Sequence, residues 1–127
     1  MRKFILALTT VIMVAGLAFG AGTAETGSAS YPDHNITVII PYSAGGGSDT
    51  LTRYVDKYLA DILGVSLNFE YLPGAGGAVG VTKISGSKAD GYTIGAANIP
   101  HIILQELTGS GQFNVEKMDY IGQMAMT

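Results

Sequence analysis

The chain has no cysteine and no tryptophan, and only two histidines and four prolines among its 127 residues. Without cysteine there can be no disulfide, thiolate metal site, cysteine nucleophile or cysteine-linked lipid anchor. Basic residues are scarce as well. From Glu25 onward, Arg53, Lys57, Lys83, Lys88 and Lys117 stand against ten Asp and Glu, a formal charge of about −5. Nothing basic is clustered, so the electrostatic footprint of a nucleic-acid binder is missing. The histidines, His34 and His101, read as solvated or capping residues, and neither they nor the carboxylates show metal-ligand spacing. Ser43 and Ser48 lack the G-x-S-x-G setting of a hydrolase nucleophile. There is no Gly-Lys pair, which excludes a P-loop. Past residue 24 no apolar run reaches the length of a membrane span. These absences argue against catalysis, a metal and a nucleic-acid partner, and no cofactor is expected.

The N-terminus has a clear pattern. Arg2 and Lys3 precede a largely apolar stretch over residues 4–19, and small residues follow over 20–24. This is the order of a secretory signal peptide, with cleavage frames after Gly20 or Ala24, the second preferred. An uncleaved anchor is the alternative, since residues 4–24 are about long enough to cross a bilayer. Export with no disulfides fits a bacterial periplasm at least as well as an animal extracellular space. Residues 25–35 read as a polar linker, and residues 36–127 as the folded part.

Within that part, strands and helices alternate. Ile36-Thr37-Val38-Ile39-Ile40 is nearly continuous in apolar character, as a strand buried on both faces would be. Pro41 ends it. Residues 49–63 carry Leu51, Tyr54, Val55, Tyr58, Leu59, Ile62 and Leu63 at the spacing of one apolar helix face. Ser48 is the expected N-cap, Asp49 suits the positive end of the dipole, and Gly64 is the expected stop. Residues 65–71 alternate as a second strand, 78–84 read as a short helix, 92–97 as a third strand, and 98–107 as a helix opened by Asn98-Ile99-Pro100. Residues 119–126 read as a fourth strand. Alternation of this kind predicts an α/β fold with a parallel sheet, whose ligands bind beyond the carboxyl ends of the strands. The apolar end at residues 124–127, with no closing element, suggests a piece of a longer protein.

Two glycine-rich loops fall at those carboxyl ends. The first is Pro41-Tyr42-Ser43-Ala44-Gly45-Gly46-Gly47-Ser48-Asp49. The second is Pro73-Gly74-Ala75-Gly76-Gly77. Each joins a strand to a helix whose first N–H groups lack partners, so each offers backbone donors and a dipole to an anion. A carboxylate, with about four lone-pair sites, suits donors from two loops. Tyr42 directly precedes the glycines and could wall the pocket or simply pack at the strand end. Asp49 is read most economically as a helix N-terminal residue. The dinucleotide fingerprint is nearly met at Gly74-Ala75-Gly76-Gly77-Ala78-Val79, but Val79 stands in the last small position and Asn98 where an acidic residue is expected. A periplasmic dinucleotide-binding oxidoreductase domain is therefore a second reading, and a sensor input domain a third.

Taken in order, four segments resemble the TctC/Bug solute-binding proteins, the receptors of tripartite tricarboxylate transporters. They are Tyr31-Pro32-Asp33 leading to Pro41-Tyr42 and Ala44-Gly45-Gly46-Gly47-Ser48-Asp49-Thr50; Pro73-Gly74-Ala75-Gly76-Gly77; Asp90-Gly91-Tyr92-Thr93; and Phe113-Asn114-Val115 through Asp119-Tyr120-Ile121. The resemblance implies a type II periplasmic binding protein, non-enzymatic and monomeric. Two lobes would close over a carboxylic acid and deliver it to membrane transporter subunits. Only part of lobe one would be present, with the second lobe absent. It also implies a ligand site of Ser43, Ala44, Gly45, Gly46, Gly47, Ser48, Gly74, Ala75, Gly76 and Gly77, with Tyr42, Asp49 and Asn98 beside it. The chain departs from the family at Tyr42, where Phe is commoner, and at Tyr71-Leu72, where an Asn-Arg or Asn-Lys pair is usual.

Overall fold

The computed structural model describes residues 30–125; the expected signal peptide and residues 25–29 of the expected linker lie outside them. Three parallel strands form the sheet: β1 (Ile36–Ile40), β2 (Leu67–Tyr71) and β3 (Thr93–Gly95), in the order β2-β1-β3. The register pairs Val38 with Phe69 on one side and with Ile94 on the other. The central place of β1 explains its sequence. Flanked on both edges and covered on both faces, it must be apolar almost throughout, and Ile36, Val38, Ile39 and Ile40 are all buried. At the edge, β2 keeps the alternation of a half-buried strand.

Three helices accompany the strands: α1 (Gly47–Leu63), α2 (Ala78–Ser85) and α3 (His101–Leu107). The connection through α1 runs from β1 to one neighbour, and that through α2 returns past β1 to the other. With right-handed crossovers the two helices lie on opposite faces of the sheet. Val38, Ile40 and Ala96 make one core cluster, joined by Leu67, Phe69, Tyr71 and Ile94. Ala78, Val81, Ile102 and Phe113 make the second, between α2, α3 and the segment that follows.

α2 is short and rich in small residues because it sits almost on the backbone of the sheet. A Cβ added at Gly80 would lie 2.7 Å from Pro41 Cα and 3.0 Å from the Leu72 carbonyl oxygen. Both are main-chain neighbours that cannot swing aside.

Several sequence expectations change. α1 starts at Gly47, with Gly46 as its N-cap and no side-chain cap, so Ser48 does not cap it. The glycine stop holds: Gly64 is left-handed and its N–H donates to the Ala60 carbonyl at 2.9 Å. The apolar stripe of α1 does not face the sheet. Tyr54 is 71%, Tyr58 67% and Ile62 80% exposed, whereas Asp49 and Thr52 are buried. The helix is turned by its polar anchors: Arg53 lies 4.6 Å over the Phe69 ring and reaches the Tyr71 hydroxyl.

The fourth strand is also corrected. Over the described part of its expected range, residues 119–125 have no regular structure and are exposed. Among the described residues no strand pairs with them, and without a partner an extended segment leaves its backbone groups to solvent. Among the described residues no helix is long and apolar enough to cross a membrane.

Residues 33–35 are fastened to the sheet. The Tyr92 hydroxyl donates to Asp33 at 2.6 Å, His34 stacks on the Tyr92 ring at 3.6 Å, and Asn35 accepts from the Ser66 N–H.

The close approach of α2 gives a direct test. Gly80→Ala should cost about 1–3 kcal/mol of stability, the usual range for overpacking against a rigid neighbour. Urea unfolding of the two proteins measures it, and an unchanged midpoint would contradict the packing described.

Candidate functional site

The strand order turns back at β1, so the loops after β1 and β3 leave in different directions and open a crevice at their carboxyl ends. The first glycine loop and Asn98 stand on its two sides. The Ser48 hydroxyl donates to Asn98 Oδ1 across it at 3.3 Å. This is what Ser48 does in place of capping α1.

Asp49 is 4% exposed, and its carboxylate is fully engaged. Oδ2 accepts the Gly45 N–H at 2.6 Å. Oδ1 accepts the Tyr71 hydroxyl at 2.9 Å and Arg53 Nε at 2.8 Å. The first loop, α1 and β2 are therefore tied through one side chain. The Gly45 N–H holds the Asp49 carboxyl below its ordinary value near 3.8, against burial, and Tyr71 and Arg53 add to the lowering. Tyr71, where the sequence departs from the usual family pair, is one of the three donors.

With Gly45 committed to Asp49 and the Gly46 N–H donating to the Ser43 carbonyl, the loop's remaining donors are the exposed Ser43 and Ala44 N–H groups and those opening α1. The N–H groups of Gly47, Ser48 and Asp49 have no acceptor among the described residues. They are the unpaired first-turn amides of any helix, and Gly47 itself is exposed.

The second loop is a 3-10 turn over Ala75–Gly77 running into α2. Four consecutive residues take positive φ: Gly74 at 139°, Ala75 at 47°, Gly76 at 64° and Gly77 at 100°. Such a run demands glycine nearly throughout. The Gly77 N–H folds back to the Gly74 carbonyl at 2.8 Å. α3 holds the loop from outside the sequence motif: His101 Nε2 meets the Gly76 carbonyl at 2.9 Å, and Gln105 Nε2 donates to the Ala75 carbonyl at 2.9 Å and that of Gly76 at 3.1 Å.

Tyr42 joins the loops. A Cβ on Gly77 would stand 2.9 Å from Tyr42 Cε1, so the ring lies flush against the second loop. Burial raises the phenol above its ordinary value, and the backbone of Asn98 draws it part of the way back. That amide does not reach hydrogen-bond geometry, and the buried hydroxyl has no partner among the described residues. The structure thus brings Tyr42, both glycine loops, Ser48 and Asn98 to one edge of the sheet. Asp49 lies beneath that edge. Arg53, Tyr71, His101 and Gln105 also serve it and are not apparent from the glycine motifs. The signal available for the last two is their i, i+4 spacing on the helix after β3.

The described residues contain no group of three or more His, Asp or Glu able to hold a metal. A shallow depression lined by Ala75, Ala78, Val79, Thr82, Ser110 and Gln112 lies beside the second loop and does not include the first.

A parallel α/β unit with paired glycine loops at its carboxyl edge is the architecture of a lobe of a periplasmic solute-binding protein. More particularly, the chain is related to the TctC and Bug solute-binding proteins. It is 36% identical over 89 residues to the protein BugT of Bordetella pertussis, a match covering 68% of this chain and 27% of BugT. A TctC solute-binding protein from Polaromonas superposes with a TM-score of 0.62 at 31% identity, over 68% of this chain and 30% of the other. An R. palustris protein solved with adipate superposes with a TM-score of 0.51 at 27% identity, over 53% and 22%. No family model matches the chain. The matches span 19–38% of the length of the curated relatives.

The depressed acidity of Asp49 yields a pH prediction. A carboxyl whose folded value lies below its ordinary one adds stability above that ordinary value and loses it as pH falls toward the folded value. Asp49→Asn should therefore be less stable than wild type at pH 7, and the gap should narrow below about pH 4. Unfolding curves across that range measure it; a gap that stays constant would refute the bonding assigned to the carboxylate.

Proposed function

We propose that the chain is the ligand-gripping part of an exported receptor that binds a carboxylic acid and passes it to membrane transporter subunits. The observation that carries this reading is the convergence of two donor-bearing glycine loops on one edge of the sheet, joined by Tyr42. A carboxylate held there meets backbone N–H groups of Gly47 and Ser48 from one loop and Gly76 from the other. Charge-assisted bonds of this kind are the stronger class of hydrogen bond.

An acidic protein must hold an acid by local donors, since its bulk field repels one. The negative charge closest to the first loop, Asp49, is buried and paired with Arg53 at 2.8 Å, so it does not oppose a ligand. The adipate bound to the R. palustris neighbour points to dicarboxylic acids as the class to test first. Residues 1–24 are the export signal in this reading, and the receptor works as a monomer without catalysis. A facing lobe closes the site from the other side, as the family resemblance implies.

A dinucleotide is a poorer fit. The dinucleotide fingerprint needs a small residue where Val79 stands, for close packing of helix on strand, and an acidic residue where Asn98 stands.

The intact protein should be stabilised by adipate and neighbouring chain lengths, by about 2.7 kcal/mol at a hundredfold excess over the dissociation constant, and not by NAD. Thermal shift and calorimetry measure both. Protection by NAD alone would replace this reading with the oxidoreductase one. Gly76→Val should weaken dicarboxylate binding at least about tenfold: φ of 64° strains a β-branched residue, and its Cβ would stand 3.1 Å from both His101 Nε2 and Gln105 Nε2. Undiminished affinity in that variant would remove the second loop from the site.

A further inference from the structure

Gln105 is 6% exposed and lies on the buried side of α3 with Ile102. Its amide nitrogen serves two carbonyls, Ala75 and Gly76, while its own buried Oε1 has no partner among the described residues. An orphaned buried acceptor costs about 1–3 kcal/mol. For packing alone, an apolar residue of the same size would serve better. One turn earlier, His101 adds a second donor to the Gly76 carbonyl. A carbonyl only accepts, so the proton must be on Nε2.

What these bonds fix is the direction of a peptide plane. In a trans peptide the C=O and the following N–H point opposite ways. The Ala75 carbonyl accepts from Gln105 on α3 and from the Ala78 N–H that closes the turn, and so the Gly76 N–H must point away from both. That N–H has no acceptor among the described residues. The next plane is fixed in the same manner: α3 takes the Gly76 carbonyl, and the Gly77 N–H turns back to Gly74. The four positive φ angles of the loop are a conformation that an unheld chain would readily leave, Ala75 in particular.

We propose that Gln105 and His101 are positioning residues of the carboxylate site: by holding the Ala75 and Gly76 carbonyls they turn the Gly76 N–H outward as a ligand donor. This rests on the carboxylate reading above and names the device that presents the donor.

The test uses the intact protein with adipate as the probe. Gln105→Met keeps the side-chain volume and removes the amide; His101→Phe keeps a ring and removes the donor. Each should weaken adipate binding about threefold to tenfold, the worth of one hydrogen bond, and the pair by more. His101→Gln, which returns a donor near the same place, should restore most of the loss. Amide NMR supplies a readout that a purely structural role would not move. In wild type the Gly76 N–H signal should shift downfield as adipate is added; in the double variant it should not follow the titration.

Wild-type affinity in the double variant would overturn the proposal. So would a Gly76 signal that stays put while calorimetry reports wild-type binding. If calorimetry finds no dicarboxylate bound by wild type, the carboxylate reading itself has failed and the inference goes with it. The other two outcomes remove only the role given to α3.

Discussion

The carboxyl edge of this sheet depends on one covalent constraint: a peptide group is planar, so fixing its carbonyl also fixes its N–H. Glycine gives the loops the freedom to curl, but freedom alone presents no donor in a fixed direction. Direction comes from bonds to those peptide groups, most of them made by side chains. Asp49 takes the Gly45 N–H into the body of the domain. Gln105 and His101 take two carbonyls of the second loop. Tyr42 fills the space between the loops and stands against Gly77. Each loop is thus held by a helix: the first by the helix it opens, the second by the helix after the next strand.

That division explains which parts were legible in the sequence. The β1 strand, both glycine loops and the Gly64 stop are encoded by residues adjacent in the chain, and they form where expected. The parallel order is legible too, because strands separated by helices cannot pair as hairpins. The holding side chains were not legible, because their partners are distant in sequence. Arg53 and Tyr71 are 18 residues apart, and Gln105 stands 30 from Ala75. His101 looked like a solvated residue because a single histidine beside a proline says nothing about a carbonyl 25 positions upstream. Ser48 had the composition of a cap, but a serine hydroxyl satisfied by Asn98 across the crevice has no reason to turn back on its own helix.

The orientation of α1 makes a different point. Its apolar residues recur at helical spacing, and the helix forms over the expected length. Periodicity shows that a helix has an apolar face; it does not show what that face meets. Here the sheet is engaged by Asp49, Thr52 and Arg53, and the opposite side carries the tyrosines. The polar anchors prevail because they are geometrically exacting. A buried carboxylate must be met by all its donors or its desolvation goes uncompensated. An apolar stripe loses only a transfer free energy, graded in area, when it stays in water.

The same asymmetry bears on how an acidic protein can hold an acid. A site built from lysines would raise the potential over a wide region and attract any anion. Donors from peptide groups carry no net charge and act only at hydrogen-bond distance. They discriminate by where the acceptor atoms lie, and so by the shape of the acid. For such a site, the nearest fixed charge matters more than the total. Asp49 is that charge. It is neutralised by Arg53, bonded to Tyr71 and Gly45, and kept below the edge where ligand oxygens would lie. In the proposed receptor, selectivity built this way would be only as sharp as the peptide planes are fixed, so the side chains that fix them would belong to the recognition chemistry even though they touch no ligand.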